Sequence, residues 1–183
     1  MKARVFRIVV ALAAVAAVAG IAGAGGAAGS GKMQSKIRIG VYDNRPVAIA
    51  CARAGMGPVK QMKQKMAEYE AAKKAGDTAK MKMLEAWGES QQRLLHFQGF
   101  GHVPVGDLLA PVRPQLAQLL REKHLAAIAM ECDVTAPNVE TVDVTAAIVE
   151  LFHPDAKTRE AVAAAKGVKP LSLIELADMP AKD

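Results

Sequence analysis

The sequence predicts an α+β protein with a small β-sheet body, packed helices and a short antiparallel α-helical hairpin. Three observations lead there. Residues 36–42, Lys36-Ile37-Arg38-Ile39-Gly40-Val41-Tyr42, alternate apolar and charged side chains, the period of a strand covered on one face. Residues 58–75 then carry Val59, Met62, Met66 and Tyr69 at spacings of three and four among lysines, which is the period of an amphipathic helix. A second helical run carries Met81, Leu84, Trp87, Leu94 and Leu95, and only Gly76-Asp77 separates it from the first. So short a connection turns the second helix back along the first.

Size and composition bound the rest. With 183 residues, half of them hydrophobic, and only two cysteines, the chain suits one domain. A multidomain enzyme, a disordered chain and a disulfide scaffold are excluded. Lys2, Arg4 and Arg7 precede an uncharged stretch from Ile8 to Gly31 rich in Ala, Val and Gly, the pattern of a secretory leader. Small residues at Ala22-Gly23-Ala24 and Ala27-Ala28 suit cleavage, so residues 1–28 are expected to leave as a signal peptide. The stretch also reaches the roughly 20 residues that span a bilayer, and an uncleaved anchor is the other reading. Both place the body outside the cytosol, in the periplasm. Within the leader, Gly23 to Ala28 imitates a dinucleotide fingerprint and Gly26 to Lys32 a phosphate loop. Neither follows a strand, and Met33 stands where a magnesium-holding Ser or Thr is needed, so no nucleotide cofactor and no nucleic-acid partner is expected.

Charge is divided unevenly. Residues 29–98 hold 13 basic and 6 acidic side chains, while residues 99–183 hold 8 basic and 12 acidic ones. The first half therefore suits acidic partners or weak contact with an acidic membrane surface. A solvated lysine face on the hairpin explains the same count.

The elements follow in order. After the opening strand, Asp43 or Asn44 caps a helix over residues 47–54 with Pro46 in its first turn. Gly55, Gly57 and Pro58 interrupt it and open the first arm of the hairpin, residues 58–98. Gly76 ends that arm, Asp77 caps the second, and the second runs to about Phe97. His96-Phe97-Gln98-Gly99-Phe100-Gly101-His102 reads as a glycine-punctuated turn. A helix over residues 107–124 buries Leu108, Leu109, Val112, Leu116, Leu119 and Leu120, with kinks at Pro111 and Pro114. Residues 125–132, followed by Val134-Thr135, read as one strand or two short ones. Asp143-Val144-Thr145 then caps a helix to Phe152, His153-Pro154 breaks it, and residues 155–166 form another, ended by Gly167. Residues 168–183 are a tail, docked at most by a short segment.

In this order of elements the chain resembles the OmpH/Skp family of periplasmic chaperones. The residues that carry the likeness are Lys36-Ile37-Arg38-Ile39-Gly40-Val41-Tyr42-Asp43 for the opening strand, the lysine-rich hairpin after Pro58, and Ala127-Ile128-Ala129-Met130. Val142-Asp143-Val144-Thr145-Ala146-Ala147-Ile148-Val149 supplies the closing "D-[IV]-T" helix. The resemblance covers residues 29–167 and implies a homotrimer whose helical arms enclose unfolded envelope polypeptides. The arms here are much shorter than the family's, and the His96–Phe100 segment is outside its pattern. Asp43-Asn44-Arg45 and His96-x-Gln98-Gly99-Phe100 also resemble an uncharacterised group of exported bacterial proteins.

For such a protein the client-binding or partner-binding residues are Val59, Met62, Met66 and Tyr69 on the first arm and Met81, Met83, Leu84 and Trp87 on the second. Flexible methionines repack against varied apolar partners. The same spacing serves equally as the seam between two arms, and an adaptor that docks one envelope partner is the alternative function. No enzyme is expected. His96, His102, His124 and His153 form no ligand spacing, the serines lack a nucleophile setting, and Asp43 and Asp143, which could converge near the sheet end, are better explained as helix caps, so catalytic, cofactor and metal sites are all expected to be absent. In an oxidising compartment Cys51 and Cys132 either bridge, if the first helix covers the closing strand, or stay as two buried thiols.

Overall fold

Ile37–Val41 (β1) lies at the centre of a three-stranded parallel sheet, with Ala127–Ala129 (β2) on one edge and Val139–Asp143 (β3) on the other. This computed structural model describes residues 36–179. The expected leader, its two glycine-rich imitations and residues 180–183 lie outside the described residues. Gly40 pairs with Ile128 and Val142, and these three share the sheet face turned to the core. A Cβ on Gly40 would stand 3.0 Å from methyl groups of both Leu125 and Val144, so the absence of a side chain lets that core reach the sheet. On the opposite face Ile37, Ile39, Val41, Ala127, Ala129, Val139 and Thr141 are half-buried or exposed.

The helix Asn44–Arg53 (α1) begins where expected, with the Asp43 carboxylate accepting the N–H of Arg45. Its Val47, Ala48, Ala50 and Cys51 enter the core with Leu108, Val112, Ile148, Val149 and Phe152. Gly55 and Gly57 then take left-handed backbone angles, φ +66° and +54°, which stop α1 and re-aim the chain. Pro58–Ala75 (α2) starts with proline in its first turn. At its end Gly76 adopts φ +70°, its N–H donates to the Lys73 carbonyl, and Asp77 N–H donates to the Ala72 carbonyl 3.0 Å away. That is a Schellman ending, and Asp77 at once caps the next helix through Lys80 N–H at 2.9 Å.

Thr78–Phe100 (α3) is longer than the sequence suggests. The turn expected over residues 96–102 is instead the last turn of α3, with Gly99 inside the helix. Helix propensity opposes a glycine there by only about 1 kcal/mol. The anchoring of Gln98, described below, outweighs it. Pro111 and Pro114 divide the following helical segment as expected, into Gly106–Leu109 (α4), a 3-10 turn at Ala110–Val112, and Arg113–Glu122 (α5).

The second correction concerns the strands. Val134-Thr135 is loop, with Val134 90% exposed, and β3 lies five residues further on. β3 forms because the whole of Val139–Asp143 pairs with Ile37–Val41, and the chain must cross from one edge of the sheet to the other to reach that register. Thr145–Glu150 (α6) follows, then Ala156–Lys166 (α7), capped by Asp155 through Thr158 N–H at 2.7 Å. His124 and His153 lie just beyond the ends of α5 and α6 in left-handed backbone, φ +51° and +53°. The tail docks through Leu173–Ala177 (α8), whose Ser172 and Glu175 form a capping box and whose Leu176 is buried beside Gly101. Among the described residues no helix is long and apolar enough to cross a membrane.

The two cysteines are not bridged. Cys51 is buried with its Sγ directed at the Leu108 carbonyl, 3.6 Å away, toward α4, whereas Cys132 is half-buried beyond the end of β2. The condition for a bridge, α1 lying over the closing strand, is not met: α1 packs mainly against α3, α4, α6 and α7. Burial, with the charge of Asp107 adding to it, pushes the Cys51 thiol up to about 11. At pH 8 we expect a haloacetamide to label one thiol per native chain, at Cys132, and two after denaturation. Mass spectrometry reads both numbers, and double labelling of the native chain would contradict this burial.

Candidate functional site

Three features of this fold bear on function: the contacting helices α2 and α3, here called the arm, a buried polar node at the end of α3, and a crevice at the strand ends.

In the arm, only Ala72 of α2 is buried, and of α3 only Leu84 and Gln98. The predicted residues divide accordingly. Met62, Met66, Tyr69, Leu84 and Trp87 line one groove of about 340 Å3 between the two helices. Val59 and Met81 are half-buried and outside the groove lining, and Met83 is 61% exposed. Met66 is 68% exposed even within the groove, so the methionine stripe is not a sealed seam. Sequence reasoning placed the apolar lining and missed its charged rim, Lys65, Glu70 and Glu85. Tyr69 donates to Glu85 across the two helices at 2.8 Å, which raises the tyrosine pKa and ties α2 to α3. Gly88 borders the groove with open space where a Cβ would stand.

At the end of α3 sits the node. Asn44, 0% exposed, donates through Nδ2 to the carbonyls of Gln98 at 2.8 Å and Gly101 at 2.9 Å. Gln98, 1% exposed, donates through Nε2 to Asp107 Oδ1 at 2.7 Å and to the Pro104 carbonyl at 3.3 Å. Arg45 beside it forms an ion pair with Asp43 at 2.7 Å and donates to the Val168 carbonyl. The Asp43-Asn44-Arg45 and Gln98-Gly99-Phe100 segments, singled out separately in the sequence, thus meet in one place. Their shared task is to hold the end of α3, the α4 approach and the tail onto α1. Sequence periodicity had no means of pairing residues 54 positions apart.

Asp43 caps α1 as expected, whereas Asp143 stands one residue before the N-cap position of α6, Val144, and accepts from Thr145; the two aspartates converge at the ends of β1 and β3. Val41 is the register partner of Asp143. Asp43 N–H donates to Thr145 Oγ1 at 3.0 Å, and Thr145 N–H donates to Asp143 Oδ1 at 2.8 Å. The hydrogen bonds from Thr145 hold the Asp143 carboxyl below its ordinary value. Together with Tyr42, Met130 and His102 these residues line a crevice of about 340 Å3. His102 Nε2 lies 2.7 Å from Glu131, just past β2, so each of the three strands leads into an acidic residue at this edge. Among the described residues no three His, Cys, Asp or Glu are grouped to hold a metal ion. No protein-family model matches the chain, and no curated protein or solved structure is significantly similar to it.

Proposed function

We propose that this chain is an exported, non-catalytic holding protein of OmpH/Skp-like kind in the periplasm, and that its α2–α3 arm captures apolar segments of unfolded or partly folded envelope polypeptides. The observation that carries this reading is the exposure of Met66 and Met83 on helices in which only Ala72, Leu84 and Gln98 are fully buried. Apolar side chains left in water on an arm are a reservoir of contact area, at about 25 cal/mol per Å2 once covered. Methionine has the rotational freedom to meet segments of different shape. Eight Lys and Arg against five Asp and Glu over residues 58–100 add attraction for acidic stretches. The family resemblance makes the working assembly a homotrimer, which light scattering on the purified chain would weigh.

The test is dilution of a urea-unfolded outer-membrane protein into buffer containing the chain and no ATP, with turbidity as the readout. The parent chain is expected to suppress aggregation. Changing Met62, Met66 and Trp87 together to Gln should weaken capture about tenfold, a loss of roughly 1.4 kcal/mol, in a chain that circular dichroism shows to be still folded. A parent chain that leaves turbidity as it was would end the holding reading. Recovery of a single envelope protein in a pull-down under those circumstances would favour the adaptor.

A further inference from the structure

The sheet order β2-β1-β3 has a consequence independent of the arm. From β1 the chain proceeds to β2 on one side, and from β2 it crosses to β3 on the other. The order therefore reverses between β1 and β3. In open parallel sheets ligands bind in the crevice outside the carboxyl ends of the strands at such a reversal. The cavity described above is at that place, lined from β1 by Val41, Tyr42 and Asp43 and from β3 by Asp143 and Thr145.

Charge decides what kind of ligand fits. At a strand-to-helix turn of this type, free helix N–H groups usually receive a phosphate. Here the chain's own carboxylates already take the N–H groups of Arg45 and Thr145, so an anion finds those donors used and two negative charges in its way. The Asp43 charge is answered by Arg45. Asp143 is in no ion pair among the described residues: Thr145 donates to it, and Lys166 acts on it only from beyond ion-pair distance. Glu131, against His102, adds a further carboxylate at this edge. Tyr42, Met130 and Pro170 make the remaining wall largely apolar.

We infer that the crevice at the carboxyl ends of β1 and β3 is a binding site for a small organic cation, an alkylammonium or alkylguanidinium. Its charged head meets the Asp143 carboxylate, and its short apolar stem lies along Tyr42 and Met130. A metal ion is disfavoured because too few ligating groups converge. The cation is either a free amine or the side chain of a Lys or Arg in a polypeptide.

Titration of the full chain with n-butylammonium and n-butylguanidinium, followed by calorimetry and by amide shifts at residues 41–43 and 143–145, tests this. Saturable binding is expected for both, with 1-butanol and butyrate failing. Asp143→Asn keeps the oxygen that caps Thr145 and should weaken binding at least about tenfold, the loss of one charge-assisted contact. His102→Trp fills the crevice from an exposed loop and should abolish binding while leaving the core alone, which covers the case of an Asp143 variant that folds poorly. Butyrate binding as well as butylammonium, no saturable binding, or a folded Asp143→Asn that binds as the parent does would each overturn the site. Comparing butylammonium with a capped Ala-Lys-Ala peptide assigns the source, since either one binding supports the site. Failure here leaves aggregation suppression by the arm untouched, and failure of that assay leaves this titration unchanged.

Discussion

Asn44→Asp is expected to cost about 3–5 kcal/mol at neutral pH, the range for an uncompensated buried charge. The change is nearly isosteric, so packing does not explain the loss. Asn44 gives both hydrogens of its amide to backbone carbonyls, those of Gln98 and Gly101. A carboxylate gives none, and it sets negative charge against two carbonyl oxygens in a position with no exposure to water. Folding would then favour the protonated acid, which restores one of the two donated bonds. The folded-state pKa of the new group therefore lies above its unfolded value, and the native state binds the extra proton. Stability must then fall as pH rises through the carboxylate range and recover as it is lowered. Urea denaturation at pH 7 and at pH 4.5 reads both effects. A midpoint equal to the parent's at pH 7 would show that the node does not hold the arm to the body.

Much of the fold was legible because local chemistry and tertiary structure agree. Asp43 and Pro46 open α1, Gly76 and Asp77 end one arm and begin the other, and Pro111 and Pro114 bend the α4–α5 segment, each through its own backbone preference. β3 was hidden because its partner is remote. Glu140 and Val142 face the core side of the sheet, while Val139 and Thr141 face the other, so neither face of the strand reads as apolar. The end of α3 was hidden for the opposite reason. Gly99 signals a turn locally, but the bonds of Gln98 to Asp107 and Pro104 carry the helix one turn further. In the candidate sites the same division holds. The apolar stripe of the arm follows from helical spacing, whereas its charged rim depends on how separate elements are brought together, and the sequence offered the meeting of Asp43 with Asp143 only as the lesser alternative to two caps.

Phe152→Ala should remove about 3–5 kcal/mol, while Met66→Ala and Met83→Ala should change stability by less than about 0.5 kcal/mol. All three delete large apolar side chains, and the contrast rests on where those chains lie. Phe152 follows α6 and is buried in the core that α1 shares with Ile148 and Val149. Truncation there leaves a void that the surrounding helices fill only in part, which adds to the lost transfer energy. Met66 and Met83 are mostly in water already, so their removal opens no cavity. For a chain of this size the Phe152 loss lowers the melting temperature by roughly 6–20 °C. Calorimetry on the three variants, with the turbidity assay on the same samples at 20 °C, separates the two roles. Phe152→Ala is expected to lose stability and, while folded, keep its capture of unfolded protein. The methionine variants should keep stability and weaken capture. If Met66→Ala or Met83→Ala instead lowered the melting temperature as Phe152→Ala does, those side chains would be structural core, and the arm would have no free apolar surface with which to hold anything.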